Sequence, residues 1–293
     1  MFHSGYVAIV GVPNVGKSTL LNALLGEKLS IVTDKPQTTR HRILGILNRK
    51  GAQILFLDTP GIHASDKLLN EKIVETALQA MGDADVILHL IPPKAKFSDE
   101  DRRIARHAQD TGKPYLVLIN KIDQVGKESL LPLIQKVQEE LAPQEIVPIS
   151  ALKNDGLARV VDLLVARLPE GPAYYPEDQY TEHDLRFLSA EIVREKVMQL
   201  LYQELPYSVA TQVEEFKEEG DIPRIHVAIV VEKDSQKGIV IGNKGAMIKK
   251  IGQLARKDIE AMVGKQVYLE LFVKVVENWT KSERRLKELG IIQ

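Results

Sequence analysis

One junction constrains this chain more than any other: a short apolar run, a glycine loop, then a helix-like segment. Residues 6–10 run into Gly11-Val12-Pro13-Asn14-Val15-Gly16-Lys17-Ser18-Thr19, and residues 17–25 carry helical apolar spacing. The pattern G-x-x-x-x-G-K-[ST] between a strand and a helix builds a phosphate cradle. Glycines at 11 and 16 let the backbone wrap so that successive N–H groups of the loop, Asn14 and Val15 through Thr19, point at phosphate oxygens. The helix N-terminus adds its partial positive charge. Lys17 is expected to reach the β- and γ-phosphates, and Ser18 to hold Mg²⁺ through its hydroxyl.

The rest of the first half obeys the same plan. Apolar runs at 54–57, 86–91, 115–119 and 145–149 are near-continuous, as strands buried on both faces of a parallel sheet are. Helix-like segments at 70–81, 99–110 and 129–141 separate them, and 43–48 reads as an added antiparallel edge strand. The alternation predicts an α/β doubly wound, mostly parallel sheet. Ligands of such sheets sit at the carboxyl ends of the strands, where Gly11, Asp58, Asn120 and Ser150 follow their runs.

Each of those loops carries chemistry. Asp58-Thr59-Pro60-Gly61 lies 41 positions past Lys17. Its aspartate can bind Mg²⁺ through water, and the Gly61 N–H can meet a γ-phosphate. In Asn120-Lys121-Ile122-Asp123, the carboxylate can accept from guanine N1–H and the 2-amino group, donors that adenine lacks. Ser150-Ala151-Leu152 can offer a backbone N–H to guanine O6.

These motifs, in this order, resemble the Ras-like GTPase superfamily. The resemblance implies that Asp123 reads guanine, Asn120 braces the phosphate loop, Lys121 lies along the base, and Ser150-Ala151 meets O6. It implies a first switch over 30–40, with Thr39 or its neighbour Thr38 on Mg²⁺ and the γ-phosphate, Thr39 being preferred for its place beside Arg40. A second switch is expected from Asp58 through 63–67. Lys17, Thr39, Gly61 and Asn14 are the residues expected to carry hydrolysis. Where Ras has its water-orienting glutamine this chain has Ile62, so slow intrinsic turnover is expected. Asn14 resembles the asparagine with which some relatives hold K⁺ near the phosphates; shaping the loop is its other reading.

Composition changes after Leu168. Residues 169–176 hold three prolines and read as the start of a linker. The expected division is a GTPase domain over 1–170, a linker over 171–184 and an α+β domain over 185–293. In the last, a helix to about residue 204, strands near 208–216 and 224–232, a glycine turn, a helix over 246–262, a strand over 266–276 and a helix over 280–289 are expected. Its signature is Ile241-Gly242-Asn243-Lys244-Gly245, followed by Lys249 and Lys250. Paired glycines admit a sugar-phosphate backbone closely, and the lysines supply charge. This is the loop of a KH (type II) domain, which clamps about four nucleotides of single-stranded RNA. Net charge is only −1, yet residues 233–265 carry a local balance of +5, while 204–221 is acidic. Among the apolar residues here, Ile239, Ile241, Ile248 and Ile251 divide between base platform and core. Trp279 reads as packing, and Lys281, Arg284, Arg285 and Lys287 as a second basic face.

A GTPase domain followed by a KH domain resembles the bacterial Era GTPases over essentially the whole chain. Leu205-Pro206-Tyr207-Ser208-Val209 and residues 240–246 are typical of that family; Phe272 stands where it would have tryptophan. The resemblance implies GTP and GDP as ligands with Mg²⁺, binding to the 3′ end of 16S ribosomal RNA, a role in 30S subunit maturation, and peripheral association with the inner membrane. A signalling GTPase, or one tied to RNA modification without ribosomal RNA, is the alternative. The lack of any cysteine excludes disulfides and thiolate chemistry. No run reaches the ~20 apolar residues that span a bilayer. A cytoplasmic monomer is expected.

Overall fold

The computed structural model describes residues 1–36, 38–61, 68–203, 205–218, 222–289 and 291. Contacts divide the chain into two units. The first alternates strand and helix: β1 (His3–Val10), α1 (Lys17–Leu25), β2 (Ile43–Arg49), β3 (Ala52–Asp58), α2 (Leu68–Asp83), β4 (Val86–Ile91), α3 (Asp99–Asp110), β5 (Tyr115–Ile119), α4 (Leu130–Leu141), β6 (Glu145–Pro148) and α5 (Leu157–Val165). Its six strands run in the order β2-β3-β1-β4-β5-β6. Only β2 is antiparallel to its neighbour, as the sequence predicts.

The apolar runs are continuous because both faces are covered. On one face Ala8, Val10, Ile87, Ile91, Val117 and Ile119 pack with Ala77 and Met81 of α2, Ile104 and Ala108 of α3, and Val137 and Leu141 of α4. Val7 and Ile9, which alternate to the other face, are equally buried. Helix α3 starts on a capping box: the Ser98 side chain accepts from Asp101 N, and Asp101 accepts from Ser98 N. Residues 171–182, read as a linker, group with this unit. They run beside β2: Ile46 N donates to Tyr180 O at 2.9 Å and the Thr181 hydroxyl to Leu44 O at 2.7 Å. The buried Gln53 side chain accepts from Tyr174 N at 2.7 Å and Tyr175 N at 3.0 Å.

The second unit contains α6 (Leu185–Leu200), β7 (Ala210–Lys217), β8 (Arg224–Val231), α7 (Asp234–Ile241), α8 (Ala246–Val263), β9 (Tyr268–Val275) and α9 (Glu283–Glu288). Strand β8 is central, antiparallel to β7 and parallel to β9. Val193, Val197, Ile225, Val227, Ile229, Val240, Ile251, Ala255 and Ile259 make its core. Two expectations are corrected. Helix α6 stops at Leu200, where Leu201 takes an extended conformation (φ −98°, ψ 157°) and ends the helical hydrogen bonding before residue 204. Residues 234–241 form a helix where only an apolar segment was read; Gly238 and the β-branched Ile239-Val240-Ile241 hide it.

Ile31–Thr38 groups with the second unit. Val32 N donates to Glu195 Oε1 at 3.0 Å. The Lys35 ammonium donates to Met198 O, and to Leu201 O at 2.6 Å, a cation on the carbonyl end of α6.

Candidate functional site

The carboxyl ends of β1, β3, β5 and β6 bring the sequence motifs of the first unit together. Gly11 (φ 149°) and Gly16 (φ 100°) have left-handed backbones. A Cβ at Gly11 would lie 2.4 Å from Leu90 O, and one at Gly16 would lie 2.4 Å from the Asn120 side-chain nitrogen. Side chains are therefore excluded where the loop folds against its neighbours. Lys17 is buried, and its ammonium donates to Gly11 O at 3.0 Å and Val12 O at 3.2 Å. Burial pulls its pKa down to about 8, against the attraction of Asp58. A β/γ-phosphate would offer this ammonium full-charge acceptors in place of carbonyls.

Beside it three side-chain oxygens converge. The Ser18 hydroxyl donates to Asp58 Oδ2 at 2.8 Å and, its proton so placed, accepts from the Thr39 hydroxyl at 2.9 Å. The Ser30 hydroxyl also donates to Asp58 Oδ2, at 3.0 Å. Asp58 Oδ1 is buried with no hydrogen-bond partner among the described residues. Burial raises the Asp58 pKa, opposed by Lys17 and by the two serine hydroxyls. A buried orphan carboxylate oxygen among hydroxyls is a donor set for a hard cation, so these residues fit Mg²⁺. Thr38 is turned elsewhere: its hydroxyl donates to Lys35 O at 2.8 Å and meets the Thr33 hydroxyl at 2.6 Å. Gly61 abuts the phosphate loop, where a Cβ would lie 2.8 Å from Pro13 N.

The base-side loops brace one another. Asn120 Nδ2 donates to Val15 O at 2.8 Å, and its Oδ1 accepts from Ala151 N at 3.0 Å. Lys121 Nζ donates to Asn14 O at 2.7 Å. The Ser150 hydroxyl donates to Asp123 Oδ1 at 2.5 Å, and Asp123 is otherwise exposed, as is Leu152. One side chain, Asn120, thus fixes both the phosphate loop and the 150–151 turn.

In the second unit α7 ends at Gly242, whose φ of 73° and ψ of 175° turn the chain sharply. A Cβ there would lie 2.9 Å from Met247 N, whereas one at Gly245 (φ 79°) would meet nothing. Asn243, Lys244, Lys249 and Lys250 are exposed. Gly245 caps α8 with no side-chain hydrogen bond, and the N–H of Ala246 donates to Asn243 O. Ile239 is exposed, Ile241 and Ile248 are half-buried, and Ile251 is core.

Comparison with known proteins agrees with both surfaces. Residues 6–121 match the family profile described as 50S ribosome-binding GTPase, and residues 204–280 match the KH domain profile. GTPase Era of Syntrophus aciditrophicus is 47% identical over 99% of this chain and 95% of its own length. GTPase Era of Geotalea uraniireducens is 49% identical over 99% of this chain and 98% of its own length. The chain belongs to the Era GTPase family. Among solved structures, Era in complex with MgGDPNP and nucleotides 1506–1542 of 16S ribosomal RNA superposes with a TM-score of 0.96, 43% identity and full coverage of both chains. A variant of Aquifex aeolicus Era bound to GDP and AlF4⁻ superposes equally well, at 44% identity.

Most residues singled out from sequence in this Era-family chain fall into the two places just described. Ile62 and the 63–67 segment lie outside the described residues. Trp279 is buried, as packing requires. Arg284 and Arg285, read as a basic face, both pair with Glu288, at 2.9 and 2.6 Å. Two features had no sequence signal. Ser30 was read only as the start of a switch. His89 on β4 is buried, with Nδ1 2.9 Å from the Tyr115 hydroxyl and Nε2 3.4 Å from Asp101 Oδ1. It looked like one more residue of an apolar strand.

Proposed function

We propose that this chain is a Mg²⁺-dependent GTP switch that binds the single-stranded 3′-end region of 16S ribosomal RNA and assists maturation of the 30S subunit. The observation that carries the reading is the pairing, in one chain, of the Ser18–Thr39–Asp58 oxygen cluster with an open Gly242–Gly245 loop on a cationic helix. Support also comes from the Era relative whose structure contains both MgGDPNP and 16S RNA.

In this reading the backbone of Gly11 and of 14–19 receives the phosphates, and Lys17 neutralises charge on the β- and γ-oxygens. Ser18 and Thr39 would hold Mg²⁺ directly, and Asp58 through a water. Bound there, Mg²⁺ would supply positive charge to the phosphate oxygens. The Gly61 N–H takes a γ-oxygen. Asp123, steadied by Ser150, accepts from guanine, and Ala151 N faces O6. With Ile62 in the glutamine position no side chain there orients the water, so turnover is slow. Asn14 would either shape the phosphate loop, where its backbone O accepts from Lys121, or hold a K⁺ that would supply charge as an arginine does in other GTPases.

Thr39 is joined directly to Ile31–Thr38, whose Val32 and Lys35 are seated on α6. A γ-phosphate that takes Thr39 therefore pulls on a segment bonded to the RNA-binding unit, and GTP and RNA favour each other's binding by one shared factor. The protein works as a cytoplasmic monomer with peripheral inner-membrane contact; no helix among the described residues is long and apolar enough to cross a membrane.

The test is binding of a short single-stranded 16S 3′-end RNA to protein loaded with a non-hydrolysable GTP analogue or with GDP. Tighter binding with the analogue is expected. Equal binding in both states removes the coupling, and no binding in either removes the ribosomal role.

A further inference from the structure

Ser30 sits at the end of the turn after α1, and every polar group of it is held. Asn22, on α1, accepts from Leu29 N at 3.0 Å and from Ser30 N at 2.8 Å through Oδ1, and donates through Nδ2 to Ser30 O at 2.8 Å. The remaining group, the hydroxyl, donates to Asp58 Oδ2 at 3.0 Å. Ser30 is 1% exposed, so no water substitutes for these partners.

The geometry gives this clamp a purpose. Asp58 Oδ2 receives two donors, Ser18 at 2.8 Å and Ser30 at 3.0 Å, while Oδ1 receives none among the described residues. Two bonds to one oxygen fix the rotation of the carboxylate and leave the other oxygen as the open acceptor. Both donors are carried by the same helix: Ser18 lies in its first turn, and Asn22, four residues on along the same face, carries Ser30. Ser18 has a competing duty as a cation ligand. Ser30 has none, and it donates to Asp58 whatever Ser18 does.

We infer that Ser30 is a positioning residue of the cation site, which aims Asp58 Oδ1 at the water of Mg²⁺ and so sets the affinity of the nucleotide-bound protein for that ion. The inference rests on the GTPase reading above. Partners that orient a ligand group without touching the metal are typically worth about 10- to 100-fold in metal affinity.

The measurement is release of a fluorescent GDP analogue as Mg²⁺ is titrated, with a second trace in EDTA. In Ser30→Ala the Mg²⁺ concentration that half-maximally slows release should rise about tenfold. Release in EDTA should match the wild type, because the phosphate loop and the base pocket are intact. Ser30→Thr keeps the donor and should return the midpoint towards the wild-type value; if the alanine variant does not fold, the threonine variant with an unshifted midpoint against Asn22→Ala with a raised one carries the same comparison. An unchanged midpoint in Ser30→Ala, or equally faster release with and without Mg²⁺, overturns the inference. Failure of the wild type to retain GDP in Mg²⁺ would instead sink the GTPase reading, a result read from a different trace.

Discussion

The nucleotide cleft and the Gly242–Gly245 loop are built on opposite principles. In the cleft the polar side chains are largely engaged by protein: Lys17 by loop carbonyls, Ser18, Ser30 and Thr39 around Asp58, and Asn120 between two loops. At the glycine loop the polar side chains point into water, and α8 begins with no side-chain cap. A cleft whose dipoles are fixed in advance discriminates sharply and stabilises developing charge without reorganising. An open cationic surface gains its affinity largely from phosphate contacts and counterion release, in increments. Substitutions should therefore act nearly all-or-none in the first place and gradually in the second.

The largest expected effect tests the cleft. Asp123→Ala removes the carboxylate that would accept two guanine donors, and Ser150 loses its 2.5 Å partner. Preference for GDP over ADP in competition binding should fall by about 10³-fold or more, since sites that pair a ligand's polar groups reject the unpaired analogue at that scale. A loss of only a few-fold would mean that the base is read elsewhere. Next comes Gly242→Asp. A Cβ there would lie 2.7 Å from Met247 Cβ and 2.9 Å from Met247 N, so the turn must open, and a carboxylate is placed where a phosphate is expected. RNA binding should weaken by about 2–3 kcal/mol, the scale of a strained backbone substitution, with GDP binding unchanged. If GDP binding without RNA fell with it, the substitution would have disturbed more than the RNA surface.

How legible each place was follows from the same contrast. Motif residues of the cleft could be read because phosphate and guanine chemistry demands fixed residue types at fixed spacings, and the strands beneath them because burial on both faces makes them continuous. The antiparallel β2 and the glycine loop were readable for similar reasons. Ser30 was not, since its role depends on Asn22 folding the turn back onto α1, a contact with no periodic signature. His89 was hidden because Val-Ile-Leu-His-Leu-Ile reads as a plain buried strand. Only the register of β4 with β5 and the α3 cap bring Tyr115 and Asp101 to it. Helix α7 was missed because the glycine and β-branched residues that suit its loop are poor helix formers.

The pH dependence of Lys17 sharpens the comparison further. Burial holds its folded pKa at about 8, below the 10.5 of an exposed lysine. Between those values the unfolded chain carries a proton that the nucleotide-free fold lacks. The stability of the free protein should therefore rise with pH through that window, opposite in sign to a lysine held by a salt bridge. Nucleotide needs the ammonium, so above pH 8 binding must take up a proton, and GDP affinity should fall by up to about tenfold per unit. Calorimetry in buffers of different ionisation enthalpy reads the uptake directly.

The smallest effects should come from single lysines on α8. Lys249→Ala and Lys250→Ala each remove one solvated charge without disturbing the loop backbone. If each meets one phosphate, the slope of log affinity against log salt should shrink by about 0.7 for a single strand. At moderate salt the loss in affinity should be only a few-fold, and it should be the same for ribosomal and unrelated RNA, because phosphate contacts carry no sequence information. If each lysine meets its own phosphate, the salt slope of the double variant should shrink by about twice that of either single change. A loss specific to the ribosomal sequence would place one of these side chains on a base edge, and the glycine loop would then share the discriminating character of the nucleotide cleft.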